Sequence, residues 1–255
     1  MKGIDISNYQ AGLDLSMAKS GGIEFAICKI SEGRAYQDRQ FETFYNQALL
    51  CDLPIGAYVY SHATTPQGAI AEAKTALLLL KNRKLSLGVF MDVETNGQME
   101  IPKEQLKQTI SAFCQTIEDA GYRSGIYGSE YNLWARVLPS DFPNSFVWIA
   151  HYGKPPALPC DLWQKSDSGL FPGYSGPVDT DEVMSNRMID IIKGKNDTQE
   201  LTEPKQINQS NDVLLIQMAM KDDGYWPGTI DGVNTLAWRE AFKTFAGDVL
   251  GIKIQ

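Results

Sequence analysis

The chain has 255 residues, of which 43% are hydrophobic and 21% charged, enough apolar matter for one large folded unit or a large one with an appendage. Its 31 acidic residues against 23 basic ones give a formal charge of -8, which argues against a nucleic-acid partner, because phosphate contacts require a basic patch. No stretch approaches the roughly 18 consecutive apolar residues that a membrane span requires, so no membrane insertion is expected.

The N-terminus reads Met1-Lys2-Gly3-Ile4-Asp5, with a carboxylate where a secretory signal would carry an apolar run of about 7–15 residues. A cytoplasmic location in the producing cell is the expectation. From there β-rich runs alternate with helical spacing. Strand candidates lie at 3–7, 25–30, 55–60, 88–94, 124–127, 146–151, 162–164 and, less sharply, 188–191. Segments 38–51, 66–81 and 102–120 carry helical periodicity, two of them with proline at the start, where its missing N–H costs nothing. After Asn132 the helices thin out. This pattern predicts an α/β fold, an irregular TIM-like (β/α) barrel with an incomplete helical ring.

Composition changes near Lys193. Residues 194–210 are rich in Asn, Gln, Glu and Thr and read as a polar linker. Residues 211–255 are periodic again, with Val213, Leu214, Ile216 and Met220 on one stripe and Trp238, Ala241, Phe242 and Phe245 on another. They predict a small all-helical C-terminal domain, near the lower size limit for independent folding. The barrel unit is then 1–193. Cys28, Cys51, Cys114 and Cys160 form no CxxC pair and read as buried reduced thiols, with metal or disulfide use the alternative. His62 and His151 lack HxH or HExxH spacing, and no phosphate loop or nucleophile elbow is present, so no metal or cofactor is expected.

The chemistry concentrates at Gly88-Val89-Phe90-Met91-Asp92-Val93-Glu94. Strand periodicity puts Asp92 and Glu94 on one face, about 6–7 Å apart along the strand. Active sites of parallel barrels sit at such C-terminal strand ends. Two acids on one face repel each other's ionised forms, so one stays protonated to higher pH and can act as a general acid. A bare DxE also fits solvated strand-end residues. Asp5 and Asp179 repeat the pattern, and Tyr58, Tyr60, Tyr127, Trp148, Tyr152 and Trp163 crowd the same strand ends. Aromatic faces suit the C–H faces of pyranoses, although each ring taken alone also fits a core.

Gly3-Ile4-Asp5-Ile6-Ser7, Phe25-Ala26-Ile27-Cys28-Lys29-Ile30-Ser31-Glu32-Gly33, Gly56-Ala57-Tyr58-Val59-Tyr60, Met91-Asp92-Val93-Glu94, Gly125-Ile126-Tyr127-Gly128-Ser129, Leu162-Trp163-Gln164 and Val178-Asp179 occur in this order. In these motifs the chain resembles glycoside hydrolase family 25, the Chalaropsis-type lysozymes, which include many phage endolysins. The resemblance implies a muramidase domain over 1–193 that cleaves the β-1,4 bond between N-acetylmuramic acid and N-acetylglucosamine. By the same likeness Glu94 is the general acid/base, Asp92 its partner carboxylate, and Asp5 and Asp179 two further cleft acids. Tyr58, Tyr60, Tyr127, Trp148 and Trp163 would shape the sugar subsites, with Asp181 supporting them from behind. Asn8 departs from the pattern, standing where many members have a His beside the aromatic at Tyr9.

The segment carrying Leu214-Leu215-Ile216-Gln217, Ile230-Asp231-Gly232 and Ala241-Phe242-Lys243-Thr244-Phe245 resembles a small helical peptidoglycan-binding repeat, with Asn234 where a turn glycine is expected. Wall anchoring is its expected role, and a self-association module the alternative. The expected partner is therefore the glycan strand of peptidoglycan, cut after release of a phage or prophage endolysin onto a Gram-positive wall. Three other readings stay open: a non-catalytic glycan-binding barrel, a bacterial autolysin and a chitinase-like hydrolase. For the mechanism, a carboxylate nucleophile and attack by the substrate's own 2-acetamido oxygen both remain. The short DxE spacing favours the second.

Overall fold

A computed structural model describes residues 1–81 and 83–195, with Ala237, Glu240, Ala241, Lys243 and Thr244 beyond them. Those five are helical, but the predicted linker from residue 196 and the predicted domain at 211–255 otherwise lie outside the described residues. The strands are β1 (Lys2–Ile6), β2 (Phe25–Glu32), β3 (Tyr36–Gln37), β4 (Ile55–Tyr60), β5 (Gly88–Asp92), β6 (Ser124–Ser129), β7 (Phe146–Ala150), β8 (Leu162–Phe171) and β9 (Tyr174–Val183). All except β3 close a barrel in the order β1-β2-β4-β5-β6-β7-β8-β9, and β9 returns to β1. Pairing is parallel from β1 round to β8, while β9 is antiparallel to both of its neighbours.

Period-two alternation sorts the side chains. Phe25, Ile27, Phe90, Phe146, Trp148 and Leu162 point into the barrel and form its inner core. Their sequence neighbours, such as Ala26, Val89, Met91, Ile126 and Val147, point outward into the layer shared with the helices. The inner ring is tight enough to dictate glycine. A Cβ on Gly3 would lie 2.1 Å from the Phe25 ring, and one on Gly125 would lie 2.2 Å from that of Phe90.

The helices are α1 (Leu15–Ser20), α2 (Phe41–Leu50), α3 (Pro66–Leu80), α4 (Asn96–Glu100), α5 (Lys103–Asp119) and α6 (Asn186–Ile192). The three predicted helices correspond to α2, α3 and α5. Thr65 caps α3 by accepting from the Gly68 N–H at 3.2 Å, with Pro66 in the first turn. The connections from β6 to β7 and from β7 to β8 hold only turns and one short 3-10 helix, so the ring is incomplete.

The segment 188–191 is a correction, since it is helix α6 and not a strand. Ser185 caps it through the Met188 N–H at 3.3 Å, and Met188 and Ile192, one turn apart, plug the end of the barrel opposite the catalytic-type strand ends. The strand predicted at 162–164 is also longer than expected. It runs to Phe171 and folds back as β9 through a two-residue turn in which Gly173 has φ of 84°. All four cysteines are unpaired; Cys28 and Cys114 are buried, whereas Cys51 and Cys160, expected to be buried, are only partly covered.

Candidate active site

The C-terminal strand ends enclose a cleft of about 440 Å³. Six of the predicted site residues reach it as inward-facing positions of their strands: Asp5 from β1, Tyr58 and Tyr60 from β4, Asp92 from β5, Tyr127 from β6 and Trp148 from β7. Glu94 follows β5 at the open mouth, and Asp179 comes in from β9. In the closed strand order β5 stands diametrically across from β9. The Asp92–Glu94 pair and the Asp5–Asp179 pair therefore face each other from opposite walls of the cleft.

Burial governs the acids. Asp92 is 5% exposed, and its Oδ1 has no hydrogen-bond partner among the described residues. Desolvation and then the charge of Glu94 push its carboxyl well above the usual range, against the opposing pull of Lys29. Glu94 is raised too, by desolvation first and by Asp179 second, while Lys29 again opposes. On the far wall Asp5 is raised well above the ordinary value by burial and by Asp181 and Asp179. Asp179 is raised mainly by desolvation. The cleft thus holds carboxyl groups that keep protons to higher pH than free acids, as a general acid requires.

Two residues without an assigned role in the sequence reading complete the walls. Lys29, on the inward face of β2, is 7% exposed, donates to Glu32 Oε2 at 2.6 Å and lies 4.8 Å from the centroid of the Tyr60 ring. Glu32 in turn contacts His62 Nε2 at 3.1 Å. Gln164 is buried on β8, and its Nε2 donates to Asp5 Oδ2 at 2.8 Å. The period-two rule that placed Asp92 also places Lys29, four residues after Phe25, but a lone lysine in an apolar strand reveals its role only when the opposing acids are in view.

The rings divide. Tyr58 and Tyr60 are half-buried in the cleft wall, and Tyr9, 81% exposed, stands at its rim. Trp148 is 1% exposed: it forms the floor, edge-on to Tyr58 and 4.5 Å from the Tyr127 ring centroid, and so offers no open stacking face. Trp163 is a correction. Since Gln164 points inward, its neighbour Trp163 points out of the barrel, where Nε1 donates to the His151 carbonyl at 2.7 Å, and it does not line the cleft. Asp181 is fully buried and touches no cleft space; it accepts from Trp148 Nε1 at 2.8 Å. Its role is support and not sugar contact.

Residues 4–174 match the family model for glycosyl hydrolases family 25. An autolytic lysozyme of Clostridium acetobutylicum is 29% identical over 97% of this chain and 74% of its own length. Lysozyme M1 of Streptomyces globisporus is 27% identical over 70% of this chain and 66% of its own. Among solved structures, the CTP1L endolysin superposes with a TM-score of 0.67 at 25% identity, covering 76% of this chain and 69% of that one. The matched segment spans about two thirds of the chain and carries every acid and aromatic ring of the cleft lining except Asp179, and the chain belongs to glycosyl hydrolases family 25.

Proposed function

We propose that this glycoside hydrolase is a lysozyme-type muramidase that cuts the β-1,4 bond between N-acetylmuramic acid and N-acetylglucosamine in peptidoglycan. The observation that carries the reading is the pair Asp92 and Glu94, one buried and one at the mouth, on the wall facing Asp5 and Asp179. The lysozyme names of the Clostridium and Streptomyces relatives point to the same substrate.

In this reading Glu94 protonates the departing glycosidic oxygen. The 2-acetamido oxygen of the muramic acid attacks the anomeric carbon as that bond breaks, and Asp92 orients and polarises the acetamide N–H. Glu94, now ionised, then takes a proton from the water that opens the cyclic intermediate, which restores both groups. The place of Asp92 in the cleft lining, two residues before Glu94 at the same strand end, supports this role. Tyr58 and Tyr60 supply apolar faces for the sugars.

The test is mass spectrometry of products from purified peptidoglycan. New reducing-end muramic acid is expected from the protein and none from Glu94→Gln at unchanged melting temperature. Products from chitin alone would support a chitinase-like enzyme, and no products at all a glycan binder. Likeness to the CTP1L endolysin supports a phage or prophage endolysin, made in the cytoplasm and reaching the wall after release. The autolysin reading has its own support in the Clostridium acetobutylicum relative, which aligns over 97% of the chain. Lysis that requires a co-expressed membrane-permeabilising protein favours the first, and unaided lysis the second. Residues 211–255 are proposed as a wall anchor, checked by pull-down of the full chain and of a chain ending at Lys195 on intact walls.

A further inference from the structure

Gln164 makes four side-chain hydrogen bonds inside the cleft. Its Nε2 donates to Oδ2 of Asp5 at 2.8 Å and to Oδ2 of Asp179 at 3.3 Å. Its Oε1 accepts from the Tyr127 hydroxyl at 2.9 Å and from the Tyr152 hydroxyl at 3.3 Å. Chemistry fixes which way the amide points, since the reverse orientation would set a carbonyl oxygen against two carboxylates. The amide itself is 2% exposed, so these protein groups and not water satisfy it.

The two acids need such a partner. Asp5 and Asp179 are directly opposed across the antiparallel β1–β9 seam, and Asp181 lies two residues further along the same strand. Like charges opposed on adjacent strands destabilise each other. A primary amide offers donors on one side, an acceptor on the other and no charge of its own. We propose that Gln164 is a positioning residue for glycan cleavage: it clamps Asp5 and Asp179 into one unit of fixed spacing across from Glu94 and ties that unit to the Tyr127 and Tyr152 rings. The inference rests on the muramidase reading above and adds to it the group that holds the second wall. The clamp also favours the ionised form of Asp5 against its burial and its neighbours. The titratable groups around the amide are Asp5 from β1, Asp179 and Asp181 from β9, Tyr127 from β6 and Tyr152 after β7, with Lys165 and Asp167 on its own strand acting on the β9 pair.

The experiment compares the wild type, Gln164→Leu and Gln164→Glu in release of reducing ends from peptidoglycan across the pH range, with melting curves for each. The leucine variant removes both donors. It is expected to lose about a hundredfold in kcat, the scale of a misplaced catalytic group, with KM little changed. Its acid limb moves to higher pH, because Asp5 takes up a proton more readily without the clamp. The glutamate variant is isosteric. Ionised, it adds a third charge to the pair and is inactive; protonated, it restores one donor toward Asp5 and an acceptor toward Tyr127. Its activity therefore returns as pH falls, with an optimum below that of the wild type. Opposite shifts in the two variants support the clamp, and if the leucine variant does not fold, the acid recovery of the glutamate variant decides. Unchanged optima, shifts in the same direction, or an effect confined to KM would overturn it. A wild type that releases no muramic reducing ends would overturn the muramidase reading and this inference together.

Discussion

Trp148 on β7 and Asp181 on β9 are joined by an Nε1–H···Oδ1 hydrogen bond of 2.8 Å that lies wholly inside the barrel wall. Burial holds the Asp181 carboxyl up at about 8, so at neutral pH it carries a proton. An acid raised on folding contributes stability that is full below its unfolded value, 3.8 here, and is lost as pH rises toward about 8. Asp181→Asn keeps the acceptor for the indole and cannot ionise. It is expected to flatten the decline of stability across that window and to be the more stable protein at its upper end. Asp181→Ala strands the indole N–H and is expected to cost about 1–3 kcal/mol. Urea unfolding at several pH values checks both.

Lys29 sits among carboxyl groups and opposes the rise of both Asp92 and Glu94. Lys29→Met removes that opposition, so both groups hold their protons to higher pH. Both limbs of the pH–activity bell should move upward together. Lys29→Arg, which keeps the charge, should leave the bell closer to its original place. A methionine variant that loses activity without displacing the bell would mean that the lysine serves packing alone.

Gly125 faces the Phe90 ring so closely that a Cβ there would stand 2.2 Å away. Gly125→Ala is expected to destabilise by at least the 1–3 kcal/mol or so typical of overpacking. Gly125→Ala with Phe90→Leu should cost less than the sum of the two single changes, because the smaller side chain relieves the clash. A double-mutant cycle of chemical denaturation gives the coupling directly.

The chain carries a formal charge of -8, and its cleft is lined by the acids Asp5, Glu32, Asp92, Glu94 and Asp179 against Lys29. Approach to anionic wall polymers gains nothing from long-range attraction, so recognition must rest on short-range sugar contacts. Raising ionic strength from about 0.01 M to about 0.15 M shrinks the screening length from roughly 30 to 8 Å. The rate of wall clearing should hold or rise across that interval. A steep fall would contradict the picture.

Much of the cleft was legible because strand parity is a local rule. Once Phe90 is inside, Asp92 and the extrapolated Glu94 follow, and Tyr58, Tyr60 and Tyr127 obey the same count. At Trp163 an aromatic at a strand end resembles a sugar platform, but strand parity gives the inward place to its neighbour Gln164. At 188–191 a short apolar run fits strand and helix alike, and only the plug formed by Met188 and Ile192 decides between them. The outer half of the β8–β9 hairpin is polar and partly solvated, so no apolar alternation announced it. Lys29 and Gln164 were silent for another reason. Each acts through residues far away in the chain, as with the 159 positions between Gln164 and Asp5.

The plug formed by α6 also sets where the barrel hands on its chain. Gly194 lies in the groove beside Leu53, Pro54 and Ser86, at the entry ends of β4 and β5, so the described barrel leaves through the pole farthest from the acids. The last residues of the described barrel and the acids of the cleft thus lie at opposite ends of the strands, and a substitution at Gly194 or Lys195 alters the exit of the chain without touching a residue of the cleft.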